Sequence, residues 1–312
     1  MINEDQLIAS LQQSSEGFIG DDAAVMPSRS DTHFVVTKDL LIENIHFRID
    51  YFKPGDLAHK ALHVNLSDLA AMGARPLYVL CGISIPSNLH DYGRVFLDQL
   101  TAACQKAGVI LIGGDTTASK DQLFISMTAI GIAAAANLKY RTGAGSGDLI
   151  CVVGDLGVAS LGFKGLEYSQ CVGQECINQF LRPKARVKEG IWLGEQSVVS
   201  SMMDISDGLY IDLKRLVASS KKHAVLDVNL LQNHLMPEVS VQTALEGGED
   251  YGLLVTIPKD ASKEFSRRFM RRFGYALKQV GYITDGDGVS FQQGKNSIEV
   301  MVNHFSHFGE GG

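Results

Sequence analysis

The stretch at residues 61–76, ALHVNLSDLAAMGARP, forms the second half of a helix that we predict to begin near Asp56. A Pro-Gly-Asp sequence ending at Asp56 is a start signal with Asp56 as the N-cap, and Gly73 with the Arg-Pro pair after it is a stop signal. Apolar side chains recur at the three-and-four spacing of a buried helical stripe. They are Leu57, Ala61, Leu62, Leu66, Leu69 and Met72.

Polar side chains occupy a neighbouring face of the same helix. Asn65 and Asp68 are three residues apart, with His63 and Ser67 beside them. A carboxylate at a helix N-terminus would simply balance the helix dipole, but Asp68 is close to the C-terminal end. An unpaired carboxylate among small and apolar side chains is costly to bury. We therefore expect Asp68 to meet a cation.

Composition restricts the class of protein. The 312 residues suggest about two domains of ordinary size. A hydrophobic content of 45%, with 20% charged residues, is typical of a globular protein with an ample core. A net charge of -7 and no evident Lys/Arg-rich run argue against nucleic acid as a partner. The negative charge does not exclude a phosphorylated small molecule as a ligand, because divalent metals can supply positive charge.

The N-terminal residues and the cysteines indicate a compartment. The first five residues carry two acids and no long apolar run, so we expect no secretory signal. No apolar stretch approaches the roughly 20 residues that span a bilayer, so no membrane partner is expected. The five cysteines contain no Cys-x-x-Cys pair, which indicates neither a disulfide framework nor a zinc site. A reducing cytoplasm is the expected location.

Strand and helix signals alternate without the regular rhythm of a doubly wound sheet, so the expected fold is α+β in two halves. A glycine-rich segment at 140–148 reads as a linker or loop, and we place domains at 1–137 and 138–312. Helices are predicted at 1–16, 56–72, 92–107, 159–166, 175–181, 187–196, 209–216 and 261–273. Strands are predicted at 33–38, 77–85, 109–112, 123–132, 149–153, 252–257, 278–283 and 297–302.

Six aspartates stand beside glycine or in apolar surroundings. They are Asp22, Asp39, Asp68, Asp115, Asp204 and Asp207. Any one of them could be a solvated residue or a helix cap. Together, with few histidines or thiols in support, they favour Mg²⁺ over zinc. Magnesium held by carboxylates normally shares its coordination with substrate phosphates.

Two glycine-rich segments could admit a phosphate close to the backbone. One is Gly113-Gly114, and the other follows Arg141, whose planar guanidinium suits phosphate. Neither segment has the Walker A pattern, and no Rossmann G-x-G-x-x-G opens a helix after a strand. The residues alone therefore predict a phosphate site with several magnesium ions, without a substrate.

Five motifs closely resemble the thiamine-monophosphate kinases, of the aminoimidazole ribonucleotide synthetase-like superfamily. They are GDD at 20–22, NLSDLAAMGA at 65–74, GGDTT at 113–117, DISDGL at 204–209 and GGEDY at 247–251. The resemblance covers nearly the whole chain in the right order. It implies a two-domain fold whose first half pairs with that of a second copy in a shared β-barrel, as a homodimer, with a second α+β domain packed on it.

The resemblance also assigns roles. It implies metal ligation by Asp22, Thr37, Asp39, Asp68, Asp115, Asp204 and Asp207. It implies ATP contacts from Gly114, Asp115, Arg141 and Ser206, and thiamine phosphate contacts from His46, Glu249 and Phe305. Several Mg²⁺ ions with ATP as co-substrate are expected, and a K⁺ ion is allowed. His46 could also be an ordinary loop residue, Glu249 a turn residue and Phe305 plain core.

One position departs from the family pattern. The family usually has Ser/Thr-Thr-Asp where this chain has Thr37-Lys38-Asp39. A hydroxyl ligand is therefore lost at Lys38 unless a metal uses the backbone carbonyl there, and the lysine could instead meet a phosphate. The number of metal ions near Asp39 stays open.

The implied reaction is ATP-dependent phosphorylation of thiamine monophosphate to thiamine diphosphate. The acceptor phosphate is already ionised at neutral pH, so no general base or other catalytic side chain is required. Catalysis would be positioning and charge neutralisation, with direct in-line transfer of the γ-phosphoryl group and no phospho-enzyme.

Two alternatives stay open. Another superfamily enzyme could activate an amide or selenide, but the first cysteine is Cys81, whereas selenide-activating relatives use an earlier one. The carbamoyl-dehydrating relatives end in a cysteine, whereas this sequence ends in glycine. A non-catalytic nucleotide- or metal-binding protein is the second alternative, against which the retained aspartates and Glu249 argue.

Overall fold

The chain folds into two halves that each carry one β-sheet, in a computed structural model that describes residues 11–12 and 18–302. The strands are β1 Ala24–Met26, β2 Thr32–Ile42, β3 Arg75–Pro86, β4 Ile110–Ser119, β5 Phe124–Ala134, β6 Asp148–Val153, β7 Ser201–Ile205, β8 His223–Asp227, β9 Gly252–Pro258, β10 Lys278–Thr284, β11 Gly288–Gln293 and β12 Asn296–Ile298. The helices are α1 Pro54–Ala71, α2 His90–Ala107, α3 Val158–Glu167, α4 Gln174–Leu181, α5 Val187–Gly194, α6 Leu209–Ser220, α7 Val228–Gln232, α8 Val241–Glu246 and α9 Ser262–Phe273. The expected α+β content is confirmed.

The first half is a five-stranded sheet in the order β1-β2-β5-β3-β4, with α1 and α2 packed on it. All neighbours are antiparallel except β3 and β4, which run parallel. Large apolar side chains on its strands stay exposed; they are Phe34, Leu40, Tyr78, Ile110, Ile112 and Phe124. The sheet is open, with β1 and β4 as its edges.

The second half is a seven-stranded sheet in the order β12-β11-β8-β10-β6-β9-β7. Its strand β6 is buried along its whole length, and successive side chains pack alternately into two different hydrophobic cores. Ile150 and Val152 pack with α6, while Leu149 and Cys151 pack with α5 and α9. The sheet is therefore covered by helices on both faces, as its continuous apolar strands require.

Helix α1 joins the two halves. Its apolar stripe packs against β2, β5 and α2 of the first half. Its last turn, with Ala70 and Ala71, belongs to the core formed by α5 and α9 in the second half. The approach is close, since a Cβ on Gly190 of α5 would lie 2.2 Å from the carbonyl oxygen of Ala70. Both halves therefore take their position from one helix.

The predicted boundaries differ from the structure where tertiary contacts intervene. The prediction of Asp56 as N-cap is wrong, because α1 begins at Pro54 with Lys53 as the capping residue. Asp56 lies in the first turn, and its carboxylate pairs with Arg182 of the second half at 2.5 Å. Strand β4, predicted to end at 112, continues to Ser119 because its parallel pairing with β3 resumes after a bulge.

Several short elements escaped prediction. Strands β8 and β11 pair with each other in parallel across about sixty residues of chain, a partnership that no local pattern reveals. Helices α7 and α8 have 5 and 6 residues, too few for a helical periodicity to show. Of the predicted helix at 1–16, only Leu11 and Gln12 fall in the described part, and both are helical. The domain division after residue 137 stays a prediction.

Two surface features complete the fold. In the described part of the chain, no helix has both the length and the apolar character to cross a membrane. Helix α9 buries Phe265 and Phe269 while it exposes a basic cluster of Arg267, Arg268, Arg271 and Arg272. That cluster contradicts the expectation of no Lys/Arg-rich run, although the net charge of the chain stays negative.

We predict that Gly190→Ala destabilises the protein. Alanine would gain roughly 0.5–1 kcal/mol in helix propensity. Overpacking against the backbone of Ala70 should cost about 1–3 kcal/mol and outweigh this gain. The thermal unfolding midpoint measures the result. Gly173→Ala is the control, since a Cβ there meets nothing within 4 Å. Equal midpoints for the two variants would contradict the close packing of α1 and α5.

Candidate active site

A cavity of about 1020 Å³ lies between the two halves. Its wall is built from β2, α1 and loops of the first half, and from α3, the loop after β7 and the loop after α8 in the second. Among the residues that the structure describes, nine carboxylates and four cationic side chains line it. An anionic substrate would therefore meet a net negative wall, so binding one requires added positive charge.

Three carboxylates meet at the base of this cavity. Asp22 comes from the glycine-rich turn, Asp68 from α1 and Asp204 from the end of β7. Each offers an oxygen that lies within 4.8 Å of those of the other two. The Ser67 hydroxyl donates to Asp204 at 2.8 Å, and the Thr37 hydroxyl donates to Asp68. Ser67 and Asp68 of the predicted polar face thus point to the cluster. His63 instead accepts a hydrogen bond from the backbone N–H of Ala185, and Asn65 donates to the carbonyl oxygen of Ala61.

The carboxylates of this cluster are hard to keep ionised without a cation. Burial raises the pKa of Asp22, Asp68 and Asp204, and the charges of nearby carboxylates raise those of Asp68 and Asp204 further. The Oδ2 atom of Asp22 is buried, and no hydrogen-bond partner for it is found within residues 11–12 and 18–302. An orphaned carboxylate oxygen among like charges fits a hard divalent cation, for which oxygen ligands are preferred. The residues present therefore suit Mg²⁺.

Asp39 and Asp207 extend the acidic wall. Burial, and then the charge of Asp207, raise the pKa of Asp39 to about 6. Asp207 forms an ion pair with Arg215, which also pairs with Asp212 at 3.0 Å. Asp212 in turn accepts hydrogen bonds from the backbone N–H groups of Ser206 and Asp207, both at 3.0 Å. These contacts fix the DISDGL motif at residues 204–209 beside the cluster.

Arg141 and Ser206 are the residues for which the resemblance implies ATP contacts. Both line the cavity. The Arg141 guanidinium pairs with Asp22 at 2.7 Å, and its backbone N–H donates to Asp21 at 2.7 Å. Its Nε is buried and has no hydrogen-bond partner in the described part of the chain. Adjacent carboxylates therefore serve different purposes here, because Asp21 fixes the arginine backbone while Asp22 reaches the cluster.

Gly114 and Asp115 do not join the cluster within one chain. They lie on the exposed edge strand β4, and neither lines the cavity. Asp115 accepts a hydrogen bond from the backbone N–H of Thr116 at 2.9 Å. Gly114 is required by the strand itself, since a Cβ there would fall 1.8 Å from the carbonyl oxygen of Cys81.

Two of the three residues for which the resemblance implies acceptor contacts line the same cavity. His46 lines the wall, and its Nδ1 accepts a hydrogen bond from the backbone N–H of Ile42 at 3.1 Å. Glu249 also lines the wall and pairs with Lys60 at 2.6 Å. Phe305 is outside the described residues.

Sequence reasoning missed several wall residues. The side chains of Tyr51, Phe163 and Phe180 form an aromatic surface near Glu249. Lys60 is completely buried behind it. The available signal was the spacing of Lys60, which lies eight residues before Asp68 on α1 and so on nearly the same helical face.

Lys38, the departure from the family pattern, also lines the cavity. Its side chain is exposed, and its ammonium donates to the hydroxyl of Ser126 on β5. No carboxylate in the described ranges forms an ion pair with it. Lys38 is therefore a cation available to an anionic ligand.

Comparison with known proteins gives the family of the chain. The family models for AIR synthase related protein match at residues 20–133 (N-terminal domain) and 145–294 (C-terminal domain). The thiamine-monophosphate kinase of Salmonella typhimurium is 35% identical over 93% of this chain and 91% of its own. That of Buchnera aphidicola from Schizaphis graminum is 31% identical over 93% and 92%.

Solved structures are similar as well. One described as AaThiL complexed with AMPPCP and TMP is 26% identical, with a TM-score of 0.83 over 98% of this chain and 97% of its own. Thiamine-monophosphate kinase from Stenotrophomonas maltophilia is 31% identical, with a TM-score of 0.76 over 91% and 94%. The chain is therefore a member of the AIR synthase related protein family and, within it, of the thiamine-monophosphate kinases.

Proposed function

We propose that this kinase transfers the γ-phosphoryl group of ATP to thiamine monophosphate, with several Mg²⁺ ions held at the carboxylate cluster. The observation that carries the proposal is the meeting of Asp22, Asp68 and Asp204 in a cavity between the halves. The relative that was solved with AMPPCP and TMP has the same fold. Amide or selenide activation has no comparable support.

Charge decides how such a site works. Two anionic substrates must meet at a wall that is itself acidic, and bound Mg²⁺ would neutralise and orient their phosphate oxygens. Arg141 would contribute a permanent cation beside the cluster, and Ser206 a hydroxyl for hydrogen bonding. His46 and Glu249 would hold the acceptor from their positions on the cavity wall. The acceptor oxygen is already ionised, so transfer would be direct and in line.

The first test is Asp68→Asn with ATP, Mg²⁺ and thiamine monophosphate, the products being resolved by chromatography. We expect turnover to fall roughly 100-fold or more, since loss of even an outer-shell partner of a metal costs up to that much. Metal-free Asp68→Asn should be at least as stable to heat as the wild-type protein, because asparagine removes a repelling charge.

The control variant is Asp98→Asn, which removes one carboxylate from an exposed surface pair with Arg94. It should keep wild-type turnover. Formation of thiamine diphosphate by Asp68→Asn at the wild-type rate would contradict the metal site. Trapping of a labelled phospho-aspartate on the protein would contradict direct transfer.

Magnesium affinity should fall as pH falls through about 6. The raised pKa of Asp39, about 6, means that its carboxylate binds a proton below that pH, and the raised pKa values of Asp68 and Asp204 act in the same direction. A metal must displace these protons, so binding is weaker in acid and releases protons. Calorimetric titration with Mg²⁺ in buffers of different ionisation enthalpy measures both quantities. Equal affinity at about pH 5.5 and about pH 8 would refute the assignment.

We further propose a homodimer formed through the open sheet of the first half. Exposed Leu40, Ile110 and Ile112 give that face the apolar character of an interface. Gly114 and Asp115 lie on the same sheet, outside the cavity of their own chain. Pairing through this sheet would allow them to serve the partner's site. The expected shared β-barrel and the K⁺ ion stay predictions, as does a cytoplasmic location, with which five free cysteines are compatible.

A complementation experiment tests this arrangement. Asp68→Asn and Asp115→Asn chains, each inactive alone, should recover activity when mixed and allowed to exchange subunits. One site of each mixed dimer would then combine the intact Asp68 of one chain with the intact Asp115 of the other. No recovery, with mixed dimers demonstrated by mass spectrometry, would place both residues in a single-chain site.

A further inference from the structure

Lys60 is a buried cation in a place where the fold does not need one. Its side chain has 0% exposure, and its ammonium lies 4.1 Å from the ring centroid of Phe180 and 5.1 Å from that of Phe52. It forms an ion pair with Glu249, at 2.6 Å. Burying such a pair seldom stabilises a fold more than apolar side chains of the same size would. A role beyond stability is therefore indicated.

Glu249, the other member of this ion pair, faces the cavity. Its side chain is 28% exposed, and it lines the cavity wall. Lys60 contacts only Oε2, and no residue in the described part of the chain is shown to hydrogen-bond to Oε1. The carboxylate thus has one oxygen fixed by the protein and one oxygen able to accept a hydrogen bond from a ligand.

The backbone at Glu249 is constrained as well. Its φ is +67°, a left-handed conformation that is unfavourable for a residue with a side chain. Its N–H donates to the carbonyl oxygen of Ser206 at 2.6 Å, which ties this loop to the loop that carries Asp207. Backbone and side chain are therefore both held, the first by Ser206 and the second by Lys60.

The position of Lys60 along α1 relates this pair to the carboxylate cluster. Lys60, Val64 and Asp68 follow each other at intervals of four on one face of the helix, and Val64 and Asp68 line the cavity. Eight residues correspond to about 12 Å along the axis. Lys60 is thus separated from Asp68 along α1, and it lies against Phe180, which belongs to the aromatic surface of Tyr51, Phe163 and Phe180.

From this geometry we infer that Lys60 is a positioning residue for the acceptor. It holds one oxygen of Glu249 so that the other accepts a hydrogen bond from the ring portion of the acceptor, while the acceptor phosphate reaches the cluster. Lys60 itself does not touch the substrate. The inference rests on the proposed function and adds to it a residue that none of the sequence motifs contains.

The test compares Lys60→Met, Glu249→Gln and the double variant in steady-state assays with thiamine monophosphate and ATP. The KM for thiamine monophosphate should rise roughly 10- to 100-fold in Lys60→Met, the range for losing one hydrogen bond to a charged group. The dissociation constant for a non-hydrolysable ATP analogue should stay within about twofold of wild type, and kcat should change less than KM.

The double variant separates positioning from folding. Lys60→Met leaves a partly buried carboxylate without its cation and should lower the unfolding midpoint, whereas the double variant carries neither charge and should recover much of it. Because Lys60 acts only through Glu249, the double variant and Glu249→Gln should have the same elevated KM for thiamine monophosphate.

The possible outcomes separate failure of the role of Lys60 from failure of the proposed function. Turnover by the wild-type chain with an unchanged KM in Lys60→Met overturns the role of Lys60 alone. A KM in the double variant much higher than in Glu249→Gln also overturns it, since Lys60 would then act independently of Glu249. Absence of thiamine diphosphate from the wild-type reaction overturns the proposed function, and the inference with it.

Discussion

Repulsion among buried carboxylates is the constraint on which the site depends. Asp22, Asp68 and Asp204 come from three separate elements and would move apart if the chain allowed it. Burial raises their pKa values, so each costs free energy to ionise at neutral pH. The packing of the two halves on α1 stabilises the fold and so offsets this free-energy cost. The fold thus holds ready a concentration of negative charge that a hard cation would neutralise.

Helix α1 supplies the rigidity that the carboxylate cluster needs, because it packs in both halves and also carries residues of the site. The apolar stripe of α1 lies in the core of the first half, and Ala70 in its last turn packs against Gly190 in the second. The polar face presents Ser67 and Asp68 to the cluster. A helix that moved relative to either half would change the spacing of the carboxylates. Stability of the interface and geometry of the site are therefore the same requirement.

Cations around the cavity are mostly committed to particular carboxylates. Arg141 pairs with Asp22, Arg215 with Asp207 and Lys60 with Glu249. Each pair fixes a side chain at a different part of the wall, but the wall as a whole stays acidic. Lys38 is the exception among the lining cations of the described chain, since it bonds a serine rather than a carboxylate. Most of the positive charge that an anionic substrate would need at this wall must therefore come from bound metal ions and not from the protein.

The sequence by itself determined the helix around Asp68, the α+β class and the residue types of the cluster. These follow from periodicity, glycine signals and local composition, which act within one element. Only the tertiary structure decided that Asp22 and Asp204 meet Asp68 while Asp115 stays on an exposed edge strand. The pairing of Lys60 with Glu249 likewise joins residues 189 positions apart. Such contacts depend on how finished elements pack, and no short stretch of sequence carries that information.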